Sequence, residues 1–107
     1  KNKADRRLSE GAELLLKDPP SWEEPRRDYL YWYWGSLAMF QYDGPHGRSW
    51  KGWNEGLKEA VAKNQSKDGS WEPLDPWSAE GGRVYSTAIN AMTLEVYYTY
   101  TNVFGSK

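Results

Sequence analysis

The sequence predicts an all-α fold that consists of two α-hairpins. Apolar residues recur at helical spacing in four segments, at about 3–17, 27–41, 50–65 and 82–101. Connectors that contain Gly and Pro separate these segments. The first and third helices are amphipathic, whereas the second and fourth are apolar around nearly their whole circumference. The predicted order is therefore outer, inner, outer, inner.

The first helix carries a single apolar stripe, and its other residues are charged or small. This pattern is typical of a half-exposed outer helix. The dipeptide Pro19-Pro20 ends the helix because proline cannot continue it. We expect Trp22 to anchor the connector 21–25 that follows. The stripe consists of Leu8, Ala12, Leu15 and Leu16.

The second helix begins with the aromatic run 29–34. Aromatic residues also favour strands. The apolar region continues through Ala38 and Met39 without alternation, however, and this favours a helix. Because it is apolar on every side, we expect it to be buried on every side.

The third helix has Ser49 as its expected N-cap and Trp50, Trp53 and Leu57 on its apolar side. A long loop, 66–81, leads to the fourth helix. The fourth helix is again apolar nearly all round, and its apolar residues include Tyr97 and Tyr98. We therefore interpret it as a second inner helix.

The segment Gln65-Ser-Lys-Asp-Gly-Ser-Trp71 combines a helix end, a tight turn and an aromatic residue. Gly69 suits the turn because glycine takes positive φ without steric cost. We expect Trp71 to fold back over the helix that it has just left. The carboxamide of Gln65 can donate and accept, so we expect it to bind backbone groups at a neighbouring helix end.

The spacing Val61-x-x-x-Gln65-x-x-x-Gly69-x-Trp71 resembles the glutamine-tryptophan repeat of squalene and oxidosqualene cyclases. This repeat belongs to the wider prenyltransferase and squalene oxidase repeat group. The segment 81–88 resembles the entry to an inner helix of the same superfamily, and the likeness runs from about Tyr29 to Tyr100. The resemblance implies a terpenoid cyclase-like α/α-toroid, of which two hairpins would form an arc. It does not imply an activity, because fold does not determine function.

A second, degenerate copy of the motif precedes the first, with Trp50 following Gln41 and Gly47. The chemistry of the family is missing from this chain. Cyclases carry an aspartate-rich acid before a Thr-Ala pair, whereas residues 83–86 contain no carboxylate. The zinc site of protein prenyltransferases and the thioester of related domains need a Cys, and the chain has none. We therefore predict no catalytic residue, metal or cofactor.

Six side chains are candidates for ligand binding at the central cavity that the resemblance implies. Three of them share one side of the fourth helix, and three lie on the second. The alternative is that these polar groups satisfy the hydrogen bonds of neighbouring helices. The candidates are Tyr29, Tyr33, Ser36, Ser86, Asn90 and Thr93.

Two ionisable residues remain. We interpret His46 as solvated, because a metal or catalytic site needs more than one partner. Glu95 lies within the apolar fourth helix, and we expect it to pair with Arg83 or with a Tyr hydroxyl rather than to act as a buried functional acid.

Length and charge bound the remaining possibilities. The 107 residues suffice for one small domain, 1–107, with one core. The net charge of -1 indicates no basic face for nucleic acid or a membrane surface. No apolar run is long enough to span a bilayer. Because the first residue is Lys1 rather than Met, we expect a piece of a longer protein. The sequence indicates no compartment.

Two classes of function fit these observations. The first is a non-catalytic toroid repeat module that binds a protein partner, or a ligand that is apolar or stacks on aromatic rings. The alternative is a fragment of a terpenoid cyclase-like or polysaccharide-active enzyme whose catalytic residues lie outside this chain. We expect the open flanks of helices two and four to form an exposed strip rich in Tyr and Trp. This strip would contact neighbouring repeats, or self-associate as a dimer about a two-fold axis. In the competing explanation, helix one caps a flank.

Overall fold

The computed structural model describes the backbone of residues 3–103 and the side chains of residues 6–96. Within these limits the chain is helical and contains no β-strand, so the all-α prediction is confirmed. A short 3-10 helix, Ala62–Asn64, follows the third α-helix. The α-helices of the described chain are α1 (Lys3–Leu16), α2 (Tyr29–Asp43), α3 (Arg48–Ala60) and α4 (Ser78–Val103).

Helices α2 and α3 form an antiparallel hairpin. Near the connection, the rings of Phe40 and Trp50 pack edge-on, with their centroids 5.0 Å apart. One turn further from the connection, Nε1 of Trp53 donates a 2.9 Å hydrogen bond to Oγ of Ser36. Both partners of this bond are fully buried, so it fixes the register of the hairpin in its core.

Helices α2 and α4 run in the same direction. The N–H of Tyr29, at the start of α2, donates to the carboxylate of Asp75 just before α4. Further along, Trp32 of α2 and Ile89 of α4 lie in one apolar cluster. Met39 of α2 and Val96 of α4 lie in a second cluster. The two predicted inner helices are therefore parallel neighbours.

Helix α1 packs antiparallel to α2 and also contacts α3. Just past its C-terminal end, the carbonyl of Asp18 accepts a 3.0 Å hydrogen bond from the hydroxyl of Tyr31. Ala12 is buried in the second cluster, whereas Leu8 and Leu14 are 58% and 64% exposed. The half-exposed character predicted for this helix is confirmed, although Leu8 of its stripe faces solvent.

The connector after α1 is held by Trp22, as expected. Its ring stacks on Tyr29 at a centroid distance of 6.1 Å and lies 6.4 Å from the ring of Trp32. The backbone of α2 then begins at the N-cap Asp28, whose carboxylate accepts from the N–H of Tyr31 at 3.0 Å.

The expected N-cap of α3 at Ser49 is wrong. The helix begins at Arg48, and its N-cap is Gly47, which has no side chain to make a capping hydrogen bond. The carboxylate of Asp43 accepts from the N–H of Ser49 at 3.0 Å and from that of Trp50 at 2.8 Å. A longer acidic side chain from the end of α2 thus replaces the local Ser cap.

Helix α4 begins at Ser78, four residues before the predicted start. Asp75 provides the reason, because its Oδ1 accepts from both the N–H and the hydroxyl of Ser78, at 3.1 and 2.6 Å. Gly82, with φ 60° and ψ −150°, then kinks the helix. The predicted loop 66–81 therefore includes the first helical turn. The side chains of Tyr97 and Tyr98 lie outside the described residues.

The expectation that both inner helices are buried on every side is wrong. On α2, Trp34 is 60% exposed and Ala38 also faces solvent. On α4, Val84 and Met92 are 82% and 46% exposed, and Ala88 between them is exposed as well. Each of these two helices is therefore buried on one side and presents an apolar face to solvent on the other.

Candidate functional site

The segment 65–71 ends with Trp71, which is 2% exposed and lies in the cluster between α2, α3 and α4. Its Nε1 donates a 2.8 Å hydrogen bond to the carbonyl of Val61, at the end of α3. Its carbonyl accepts from the hydroxyl of Ser86 on α4 at 2.6 Å, and its N–H donates to Oγ1 of Thr87 at 3.2 Å. The prediction that Trp71 folds back over helix three is confirmed, and the residue also fastens that helix to α4.

Gly69 adopts a φ of 91°, so the predicted glycine turn is confirmed. Gln65 acts within this turn, where its Nε2 donates to the carbonyl of Gly69 at 2.8 Å. The expectation that Gln65 binds a neighbouring helix end is therefore wrong. The turn residue Asp68 accepts from the hydroxyl of Ser70, and this hydrogen bond lowers the pKa of its carboxyl group.

The degenerate copy of the motif has a different structure. Trp50 lies in the first turn of α3 and packs on Phe40, whereas Trp71 lies in an irregular segment between helices. Gly47 has an ordinary φ of −73° and serves as the N-cap of α3. The two segments therefore share residue types but not conformation.

The three candidate residues of α2 have different surroundings. Tyr29 is buried, and its hydroxyl donates to the carbonyl of Glu72 at 2.7 Å. Ser36 is buried beneath Trp53, from which it accepts a hydrogen bond. Tyr33 is half-buried, and its ring packs edge-on against Trp34 at 5.2 Å.

The three candidates of α4 lie on one buried side of that helix. The amide of Asn90 donates to the carbonyl of Ser86 at 2.9 Å, and the hydroxyl of Thr93 donates to the carbonyl of Ile89 at 2.8 Å. Within the described residues, Oδ1 of Asn90 and Nε1 of Trp32 are buried without a hydrogen-bond partner. The polar atoms of these candidates thus face protein, and their role in ligand binding stays a prediction.

Asp75 is a buried acid that the sequence analysis missed. It is 5% exposed, and both of its oxygens accept hydrogen bonds, from Tyr29 and from Ser78. Burial and, secondarily, the negative charge of Asp75 raise the pKa of Tyr29 to about 12. The signal for this residue was its position three residues before Ser78, which is the spacing of an N-terminal cap.

A cavity of about 460 Å³ lies between the connector before α2 and the loop before α4. It was not predicted, because its two walls are 47 or more residues apart in the chain. A smaller, apolar groove of about 190 Å³ runs between α1 and α2. None of the six candidate ligand-binding residues lines either of these cavities. The larger cavity is lined by Glu24, Pro25, Arg27, Leu74, Asp75 and Pro76.

Arg27 forms part of the wall of the larger cavity, and two hydrogen bonds and one cation–π contact fix its guanidinium group. Its Nη1 donates to the carbonyl of Trp22 at 3.0 Å, and its Nη2 donates to Oε2 of Glu24 at 2.7 Å. The guanidinium carbon lies 5.6 Å from the ring centroid of Trp22, within cation–π distance. Nε of Arg27 is buried without a partner among the described residues.

The remaining ionisable candidates have no enclosed environment. His46 is exposed in the turn after α2. Glu95 is exposed, and Arg83 donates to Oγ of Ser70 at 3.0 Å, so the expected pairing of Glu95 with Arg83 is wrong. Among the described residues, no group of three His, Cys, Asp or Glu side chains is placed to hold a metal ion. In the same part of the chain, none of the helices combines the length and apolarity that a membrane crossing requires.

A comparison with protein-family models, curated proteins and solved structures finds no match to this chain.

Proposed function

We propose that this chain is a non-catalytic repeat module of the α/α-toroid type, an arc of two hairpins that joins further hairpins through the inner helices. The observation that carries the proposal is the apolar face of α4. Val84, Ala88 and Met92 follow one another at four-residue spacing, so they form one stripe along the helix. Val84 is 82% exposed and Met92 is 46% exposed.

The stripe is where a further hairpin would be needed. Helix α2 contacts α1, α3 and α4, whereas α4 contacts chiefly α2 among the described helices. A repeat array buries the apolar face of each unit against the next unit, so a unit that lacks this neighbour keeps one apolar face uncovered. The exposed side of α4 is such an uncovered apolar face.

Helix α2 supports the same interpretation. Trp34, Ala38 and Tyr42 repeat the four-residue spacing on its outer side, and Trp34 and Tyr42 are 60% and 37% exposed. In a ring of repeated hairpins, equivalent helices point in the same direction, as α2 and α4 do here. The face of α4 contains Val, Ala and Met rather than Tyr and Trp, so the aromatic strip expected on both helices is wrong for the described part of α4.

In the isolated chain, the occupant of these faces is a second copy of the chain. The competing cap is α1, which contacts α2 and α3 and leaves Val84 and Met92 exposed. Two copies that pair their inner helices about a two-fold axis would cover both stripes, because such an interface uses the same surface twice. Large exposed apolar patches on soluble proteins usually have such a partner.

Sedimentation velocity over a wide concentration range tests this proposal. We expect the wild type to shift from monomer to dimer as its concentration rises. The double variant Val84→Asp and Met92→Asp should remain monomeric, because it places charges within the stripe. The control is Leu14→Asp, which charges an equally exposed leucine on α1, at 64% exposure.

The control should dimerise as the wild type does, and circular dichroism should show that all three chains keep their helices. A wild type that sediments as a single species at the monomer mass, even at high concentration, would contradict the proposed association. Dimerisation of the double variant would exclude α4 as the contact surface.

A further inference from the structure

The apolar groove of about 190 Å³ between α1 and α2 has a buried floor and apolar sides. Its floor consists of Ala12 and Met39, which are 5% and 1% exposed. Leu8, Leu15 and Ala38 contribute to its sides. Sites for drug-sized ligands are larger, at about 300–1,000 Å³, but an apolar cavity of about 150 Å³ binds benzene. The groove therefore has room for one short alkyl chain.

Gly11 of α1 lies in the wall of this groove and helps to keep it open. A Cβ built at this position meets no atom within 4 Å, so a larger side chain would project into free space. Glycine also weakens the interior of a helix relative to alanine. Neither helix formation nor packing within the described chain therefore requires a glycine here.

One end of the groove carries a positive charge. Helices α1 and α2 are antiparallel, so Arg7 in the first half of α1 and Tyr42 in the last turn of α2 lie at the same end. Both residues line the groove, and both are exposed. Within the described part of the chain, neither the guanidinium of Arg7 nor the hydroxyl of Tyr42 has a hydrogen-bond or ion-pair partner. The groove thus combines an apolar interior with free donors at one end.

We propose that this groove binds an aliphatic monocarboxylate of medium chain length, such as octanoate. The alkyl chain lies over Ala12 and Met39, where burial of apolar surface supplies most of the affinity. The carboxylate lies at the open end, beside Arg7 and Tyr42. There it accepts hydrogen bonds from the guanidinium and the phenol hydroxyl while it keeps part of its hydration.

An apolar side chain of a second protein chain is the other occupant that such a groove admits. Ala38 and Tyr42 also belong to the outer side of α2, which we propose as a contact surface between copies. A leucine or methionine inserted by a partner would fill the interior but would not use the positive charge of Arg7. The free guanidinium at one end therefore favours a ligand with an anionic head group.

The two methionines of the chain, Met39 and Met92, provide the test. Met39 lines the groove, whereas Met92 is 46% exposed on α4. With ¹³C-labelled methionine methyl groups, titration with octanoate should shift the NMR signal of Met39, which is assigned by its loss in Met39→Leu. The signal of Met92 should stay in place. The protein is kept at a concentration at which it sediments as a monomer, so that self-association does not contribute to the shifts.

Isothermal titration measures the affinity, and we expect a Kd of about 1–5 mM for octanoate. From butanoate to octanoate, each added methylene should strengthen binding about twofold to fourfold, because a fully buried methylene contributes about 0.8 kcal/mol and the groove is open on one side. Arg7→Gln should weaken octanoate binding about threefold to fivefold, the effect of an exposed ion pair. It should leave the binding of octanol, which has the same chain without the charge, unchanged. The control Arg6→Gln removes an exposed charge outside the lining of the groove and should alter neither affinity.

Gly11→Leu should fill the groove and weaken octanoate binding by about tenfold or more, since several methylenes lose their contacts. The open space around this position lets the variant keep its fold, which circular dichroism checks. Glu13→Leu adds a leucine at an exposed position of α1 outside the lining and should bind octanoate as the wild type does.

Four results would overturn the proposal. They are the absence of a Met39 shift with octanoate, equal shifts of Met39 and Met92, undiminished binding by Gly11→Leu, and equal octanoate affinity in Arg7→Gln and wild type. A Met39 signal that moves with protein concentration alone would also overturn it, because the groove would then be a contact between copies.

Discussion

The N–H of Tyr29 donates a 2.8 Å hydrogen bond to Oδ2 of Asp75, and the two residues are 46 positions apart in the chain. The other oxygen of the same carboxylate accepts from the N–H and the hydroxyl of Ser78. A single buried acid therefore caps the first turns of two neighbouring helices. This arrangement holds the starts of α2 and α4 side by side, so the two helices begin at the same end of the molecule as parallel neighbours.

Replacing Asp75 with Ala should destabilise the chain by roughly 3 kcal/mol. Hydrogen bonds to a charged group contribute about 1.5–3 kcal/mol, and the buried donors of Tyr29 and Ser78 would be left without partners. Urea unfolding followed by circular dichroism measures the loss. The control Glu72→Ala removes an exposed carboxylate from the same loop and should change the free energy of unfolding by about 0.5 kcal/mol or less. Equal midpoints for the two variants would show that Asp75 does not hold the helices together.

Replacing Trp71 with Ala should cost about 3–5 kcal/mol, because the ring is buried between three helices and the cavity would not close. Trp34→Ala is the matched control, since Trp34 is 60% exposed whereas Trp71 is 2% exposed. Thermal melting monitors both variants. A melting temperature of Trp71→Ala within a degree of the wild type would contradict the conclusion that the buried ring of Trp71 stabilises the packing of the three helices.

Trp71→Phe separates the packing of the ring from its hydrogen bond. Phenylalanine keeps most of the apolar contact but cannot donate to the carbonyl of Val61. We expect a loss of about 1–2 kcal/mol, which is smaller than that of the alanine variant. The same melting experiment distinguishes the two variants.

The sequence predicted the elements that depend on local pattern. The spacing of apolar residues along the chain is a local property, so the sequence correctly predicted the four helices. It also correctly predicted the turn at Gly69 and the packing of Trp71 against helix three. The cap at Asp43 was missed because its carboxylate accepts from backbone groups six and seven residues further along the chain. The cap of Asp75 on Ser78 has an ordinary local spacing, but it was overlooked within the predicted loop 66–81. Asp75 also binds Tyr29, and no local pattern shows that contact.

The larger cavity illustrates the same limit. Its walls come from segments 24–27 and 74–76, which become neighbours only after α2 and α4 have packed. The exposed sides of α2 and α4 were missed for a different reason. Composition shows that a helix is apolar on every side, but it does not show how many neighbours the chain provides to cover those sides.

The stability of the chain should fall as the pH rises above 10. Burial, and secondarily the charge of Asp75, raises the pKa of Tyr29 to about 12, and the pKa values of Tyr31 and Tyr85 are raised as well. Below pH 10 the phenol groups are protonated in both states, and the shift contributes nothing. Between pH 10 and 12 the unfolded chain loses these protons first, so the folded state binds more protons and becomes relatively less stable.

For Tyr29 alone the loss reaches about 2 kcal/mol at pH 12. One pKa unit corresponds to 1.36 kcal/mol, and the folded-state phenol is itself half deprotonated at this pH. Urea unfolding at several values between pH 9 and 11.5 measures the slope. Tyr29→Phe should be less stable than the wild type at pH 9, because it lacks the hydrogen bond to the carbonyl of Glu72. Its stability should also fall less steeply with pH. Identical slopes for the two proteins would mean that Tyr29 does not carry the effect.

Gly82→Ala and Gly11→Ala should change the stability in opposite directions. Gly82 has φ 60° and ψ −150°, a region that is almost restricted to glycine, and an alanine there costs of the order of 1–3 kcal/mol. Gly11 lies in regular α1, where an added Cβ meets no atom within 4 Å. Alanine at that position should stabilise the chain by about 0.5–1 kcal/mol, because it restricts the unfolded state and favours helix.

Both of these variants replace a glycine with alanine, so the chemical change is the same and only the backbone conformation differs. Urea unfolding of each variant and of the wild type measures the sign of each change in the free energy of unfolding. A steric clash of the new side chain is not the cause of the destabilisation at Gly82, since a Cβ there also meets no atom within 4 Å. A destabilisation at position 82 would therefore measure backbone strain at the kink of α4. If Gly82→Ala were as stable as the wild type, α4 would have to continue without that kink, and its first turn would move away from Asp75.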